Sequence, residues 1–449
     1  MRQGVVFFAM MWTAVAIVPL SAQQTEKWTL KDCIDYALEK NIQMQQNKIA
    51  WKESEIDAKL SRAALFPNLS FSTGQNVTNR PYQENSSTVN GTEIISSDSK
   101  STYSGSYGLN AQWTLWNGNQ RLNNLKQKKN SQQMAALEVD QTANSLQEQI
   151  AQLYIQILYA HESVQVNRQT LEVSQATCDR GKILWQEGSL SKADWAQLEA
   201  QVGNDRYQLV TSENALRDYQ LQLRQLLELD PGEPMELAIP EQTDEQVLQP
   251  LPTCEEIYQQ ALALRPEIQS SRLNIENAKL NISVAKGGYS PTVSLSASIG
   301  STTNSASPNS WGKQMKYGWN NTIGLNISIP IFDNRQRKSS LQKAKLQYDN
   351  SLLESLNQQK NLYKSIESLW LEASNAQQQY AAAESKLNSC QTSYDMVSEQ
   401  FDLGMKNTVE LLTEKNNLLS SQQQRIQAKY LAILNQTLLN FYAGQDMKL

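Results

Sequence analysis

The sequence predicts a mainly α protein in which duplicated long antiparallel coiled-coil helices carry four membrane β-strands per chain, and two observations predict it. The run Gly108 to Arg121 (GLNAQWTLWNGNQR) recurs 216 residues later as Gly324 to Arg337 (GLNISIPIFDNRQR). Each copy joins an alternating, strand-like pattern to a very long helical one.

The first helices are duplicated too. Residues 36–74 and 260–298 align at an offset of 224, so that Ala37 and Leu38 match Ala261 and Leu262, and Pro67 matches Pro291 just before a strand-like run. The offset then falls by 8, which places the extra residues of the first copy in a loop between its strands. The resulting division is 1–22 export signal, 23–66 N-terminal and first upper helix, 67–117 first β-hairpin, and 118–230 first helical hairpin. It continues as 231–290 linker and start of the second repeat, 291–333 second β-hairpin, and 334–449 second helical hairpin and C-terminus.

The first 22 residues read as an export signal: Arg2, an apolar stretch from Val5 to Leu20, then the small residues Ser21 and Ala22. The alternative is a membrane anchor, for which the stretch is short and no stop-transfer charges follow. No later apolar run approaches the roughly 20 residues of a spanning helix, so any further crossing belongs to strands.

Those strands show one apolar and one polar face. Leu69 and Phe71 open the first; Leu109, Ala111, Trp113 and Leu115 alternate with Asn110, Gln112 and Thr114 in the second. Val293, Leu295, Ala297 and Ile299 alternate with serines in the third, and Ile323, Leu325, Ile327, Ile329 and Ile331 mark the fourth. A soluble sandwich predicts the same alternation. Length near that of a spanning strand, and Tyr82, Tyr103, Tyr107, Trp311, Tyr317 and Trp319 toward the loop ends, tilt the reading to a membrane barrel with an interfacial aromatic belt. Four strands leave two open edges in hydrocarbon, whereas a closed barrel needs about 8 strands or more. Oligomerisation is therefore expected, and a trimeric 12-stranded β-barrel suits a wide lumen better than a dimer.

Residues 122–187 and 338–403 form the long helices, each about 100 Å at 1.5 Å per residue. From Leu362 to Phe401 the heptad seam is apolar or small throughout, while the first copy interrupts its seam with Asn167 and Ser174. Each helix closes at a glycine, Gly188 or Gly404, and the chain returns as helix over 195–229 and 411–442.

At this point the chain resembles the TolC-type outer-membrane efflux protein family. The likeness runs from about Trp28 to Ala443: the duplicated halves, the helix-to-strand junctions Pro67 and Pro291, the strand-to-helix runs 113–121 and 329–337, and the Gly188 and Gly404 tips. The resemblance implies a trimeric barrel continued by an α-helical barrel, serving as exit channel of a tripartite efflux or type I secretion system. It implies homotrimer assembly, outer-membrane lipid contact, and a periplasmic adaptor (membrane fusion protein) that links the tips to an inner-membrane pump. Gly188, Leu190, Gly404 and Met405 are then adaptor-docking candidates.

In the family an acidic residue six positions after each tip glycine, a tyrosine three before the second and an arginine two after it hold or line the aperture. Here those places carry Asp194, Glu410, Phe401 and Lys406. Phe401 has no hydroxyl, Lys406 lacks the arginine fork, and Thr413 stands where a second acidic residue is usual. A ring of Glu410 carboxylates remains. The competing reading is that Asp194 and Glu410 favour their helix starts through the macrodipole.

Enzymatic chemistry, a cofactor or a metal site is not expected. His161 is alone, no glycine-rich phosphate loop precedes a helix, and Cys33, Cys178, Cys254 and Cys390 form no C-x-x-C pair. A Cys33–Cys254 disulfide is open, since both lie at the starts of corresponding helices. Charged residues are 19%, the net charge is −5, and no basic run occurs, so nucleic-acid binding is not expected. A trimeric surface or adhesin-type protein anchored by a barrel is the alternative; it would place one barrel module at one end, not a β-hairpin inside each repeat.

Overall fold

The computed structural model describes residues 27–82, 86–90, 93–97, 100–230, 235–240 and 247–447; the export-signal stretch 1–22 and parts of the 231–290 linker lie outside them. Helix α1 (Leu30–Lys40) starts at Thr29, whose hydroxyl accepts the Asp32 amide while Asp32 accepts the Thr29 amide at 2.9 Å. The same box, Thr253 with Glu256, starts α5 (Cys254–Leu264) 224 residues later. Asn41 then caps α2 (Ile42–Ala63), and Arg265 with Pro266 begins α6 (Pro266–Gly287) at the matching place.

The sheet runs β1 (Asn68–Asn79), β4 (Ser101–Trp116), β5 (Thr292–Asn304), β6 (Asn320–Ser328), every neighbour antiparallel. Residues paired across strands share a face, so the register forms apolar rungs. Leu69, Ala111, Ala297 and Ile323 make one, and Trp113, Leu295 and Leu325 another. The opposite face carries Ser70, Asn110, Ser298 and Thr322. Apolar side chains stand in the open: Phe71 is 68% exposed and Ile323 80%. Among the described residues, edges β1 and β6 have no partner strand. The fourth strand ends at Ser328, not at Ile331, because Pro330 has no N–H for the ladder. The extra residues of the first loop hold the pair β2 (Ser86–Asn90) and β3 (Glu93–Ser97), and the second loop holds the short helix α7 (Trp311–Tyr317).

Below the sheet, α3 (Gln120–Gln186) and α8 (Gln336–Asp402) have 67 residues each, and α4 (Lys192–Leu226) and α9 (Thr408–Tyr442) have 35 each. The strand-to-helix turn repeats as well. Asn117 and Asp333 accept the Arg121 and Arg337 amides, after left-handed residues at Gly118 and Asn119, then Asn334 and Arg335. Gly118 is required there, since a Cβ would lie 2.4 Å from the Gly287 carbonyl oxygen.

α3 packs on α4, α8 on α9, and α9 on α3, which joins the two hairpins; higher up, α2 and α6 pack on α3, and α6 on α8. The heptad seams form the interior. Leu146, Ile150, Ile157 and Leu223 in the first core correspond to Leu362, Ile366, Ala373 and Leu439 in the second. Each large apolar side chain so buried contributes about 1.5–3 kcal/mol. The Cys33–Cys254 disulfide is not formed: all four cysteines are free, Cys33 being sealed in the first core while Cys254 borders the second.

Candidate functional site

The tips are built by matched helix ends. Gly188 (φ 78°) and Gly404 (φ 74°) take the left-handed conformation that glycine adopts without a Cβ penalty. The following amides, of Ser189 and Met405, reach back to the carbonyls of Leu184 and Gln400 at 2.8 and 2.9 Å. Around both glycines there is open space, and Met405 is 65% exposed. Leu190 is half-buried and packs against the small tip core of Cys178, Leu198 and Val202. Of the docking candidates, Met405 alone offers a large free side chain.

Both acidic candidates cap helices. Ser191 accepts the Asp194 amide at 3.1 Å and its hydroxyl donates to the Asp194 carboxylate at 2.6 Å. Asn407 accepts the Glu410 amide at 2.9 Å, and Glu410 accepts the Asn407 amide at 3.1 Å. Lys406 pairs with the other Glu410 oxygen. The Lys406 ammonium, then the Asn407 amide, hold the Glu410 carboxyl below its ordinary range. This contact is present above the ordinary glutamate pKa and is lost as pH falls through the lowered value. Phe401 is buried within its own chain. Its first-repeat counterpart Trp185 stacks on Trp195 with centroids 4.8 Å apart. The four aperture candidates therefore do not converge in one chain: Lys406 and Glu410 meet, Asp194 sits at the other tip, and Phe401 points into packing.

Two contacts that sequence reasoning missed tie the hairpins together near the tips. Arg180 of α3 pairs with Asp402 of α8 at 2.8 Å. Higher up, Lys415 of α9 pairs with Asp205 of α4 and donates to Ser174 of α3, all three buried. Gln201 joins this node, donating to Asp205 at 2.9 Å and to Asn416 at 3.4 Å. The only sequence signal was a serine on a seam that its counterpart keeps apolar.

No group of three or more His, Cys, Asp or Glu able to hold a metal occurs among the described residues. Pro67 and Pro291 stand immediately before β1 and β5, where a missing N–H costs no ladder bond.

The family description "Outer membrane efflux protein" matches residues 33–228 and 257–445. Outer membrane efflux protein BepC of Brucella suis is 26% identical over 184 residues, 41% of this chain and 39% of the relative. Less than half of that relative's length is therefore spanned. Cation efflux system protein CusC of Escherichia coli O157:H7 is 22% identical over 91% of this chain and 84% of its own. A crystal structure of CusC superposes with a TM-score of 0.80 at 18% identity, covering 93% of this chain and 92% of the other.

Proposed function

This chain belongs to the outer membrane efflux protein family, and from that premise we propose that it is the exit duct of a tripartite efflux or type I secretion system, passively conducting substrates from an inner-membrane pump to the exterior. One observation carries the reading: a four-stranded sheet with its apolar face exposed and both edges open continues directly into helices about 100 Å long. The sheet suits the outer membrane, and the helices suit a periplasmic span.

Closure comes from copies of the same chain. Edges β1 and β6 meet in hydrocarbon only if each copy's β1 pairs with the next copy's β6, and three copies complete a 12-stranded barrel. The helical layer has the same open sides. Exposed Ile49, Ile56 and Leu60 on α2, and Leu346, Leu353 and Leu356 on α8, flank the two edges and cover one another in the ring. The tips, at the opposite end from the sheet, meet the periplasmic adaptor and through it the pump.

Three Glu410 carboxylates near the axis, each held in its ion pair with Lys406, then form a ring whose carboxylate oxygens favour cations. Glu410→Gln removes the charge and keeps the cap, because glutamine serves equally in a capping box. In planar bilayers the wild-type trimer is expected to conduct passively with cation preference. The variant should lose preference and weaken block by trivalent cations from the periplasmic side about tenfold, the scale of enrichment by a charged constriction. Unchanged selectivity in an open variant channel rejects the ring and leaves Glu410 a cap; absence of any passive conductance in the wild type rejects the duct.

A further inference from the structure

Helix α7 has no part in the exit duct as described. It lies between β5 and β6, at the end of the sheet remote from the long helices. Its seat shows which side of the sheet it occupies. Ser301 continues the alternation of Val293, Leu295, Ala297 and Ile299, so it belongs to the apolar face, yet it is only 3% exposed. α7 covers it: the Ser301 hydroxyl donates to the Met315 carbonyl at 3.0 Å, and Gln314 accepts the Asn304 amide at 2.7 Å. Trp311 meets Tyr107 edge to face at 6.1 Å, and Tyr107 is the register partner of Ser301 on that same face. The helix therefore rests against the outer wall, one rung beyond Ile299, and does not cross the mouth.

Its free side presents Lys313, Lys316 and Tyr317 to solvent, while Trp311, packed on Tyr107 at the sheet-facing edge, and the following Trp319 are also exposed. From Thr292 to Phe332 there is no Asp or Glu, and among the described residues no salt bridge engages either lysine. At positions three apart they share one helix face. We propose that this surface binds phosphorylated glycolipid head groups of the outer leaflet, the lysines on phosphate and the aromatic rings at the head-group boundary. Amphipathic rings settle at that depth, and the apolar rungs below continue into the acyl region. The inference rests on the exit-duct reading, which places this end of the sheet outward.

The test uses the full assembled protein reconstituted in phosphatidylcholine vesicles doped with lipid A, with retained lipid A quantified after mild extraction. Lys313→Gln/Lys316→Gln is expected to weaken retention about 30-fold, from a factor of roughly five for each lysine near an anionic surface. The Lys313→Arg/Lys316→Arg protein should bind as wild type, and dephosphorylated lipid A should bind wild type as weakly as lipid A binds the glutamine variant. Equal retention by the glutamine variant overturns the inference. So does an equal effect with phosphatidylglycerol at matched phosphate density, which would mean that charge alone is read. Mass and conductance of the same preparations report on the duct: a conducting trimer with unaltered lipid A retention overturns only the lipid site, and a preparation without trimer overturns both.

Discussion

Asp205→Leu will lower the stability of the helical region by about 3–5 kcal/mol, because it leaves the Lys415 ammonium buried without its carboxylate. Burial already pushes the Lys415 ammonium below the ordinary lysine range, against the hydrogen bond and charge of Asp205. Without Asp205 that penalty stands alone. A lysine whose folded pKa is lowered costs stability while it is protonated, and the cost fades as pH rises from the folded pKa toward the unfolded one. The variant should therefore recover part of its loss at alkaline pH. Asp205→Leu/Lys415→Met should recover most of it at every pH, since an apolar pair of similar volume replaces a buried ion pair at little or no cost. Thermal loss of helical circular dichroism in a double-mutant cycle reads the coupling. Additive single and double losses would show that Asp205 and Lys415 are not coupled. The node stands about three turns above the first tip and ties α9 to α3 and α4.

Gly404→Pro will reduce export by about tenfold or more while leaving the trimer intact. The φ of 74° at Gly404 is closed to proline, and the hydrogen bond that its N–H donates to the Phe401 carbonyl at 3.0 Å is lost. The turn must rebuild in a place where nothing but solvent or a partner touches it. Asparagine tolerates the left-handed region, so Gly404→Asn should retain export. Met405→Glu, which keeps the turn and changes only the exposed side chain, should fail as Gly404→Pro does if the tip is a docking surface. Normal export by Gly404→Pro, with export stopped by a change in the 75–104 loop, would move the adaptor site away from the turns.

The duplicated architecture could be read from the sequence because its signals are local and repeated. Gly188 and Gly404 announced the ends of α3 and α8 to within a residue or two, and one-sided alternation located the four sheet strands. Pro330 shortened the last strand by a rule the sequence itself states. The α7 helix was hidden: seven residues with Gly312 inside have little helical tendency of their own, and Gln314 and Ser301 hold them through tertiary bonds. The pair β2 and β3 was hidden because serine-rich residues carry no alternation. Apart from the seam serine Ser174, the polar node left no sequence trace, because Asp205 and Lys415 lie 210 positions apart and each alone reads as an ordinary surface charge. At the tips, residue types located the capping acids, but only coordinates showed Phe401 turned into packing.

The central claim is that copies of this chain close the sheet that one copy leaves open. Native mass measurement of the detergent-extracted outer-membrane protein tests it most directly. The mass should be three times that of the 50.7 kDa chain less an export leader of about 22 residues per copy. A folded, stable monomer in that preparation would contradict the account.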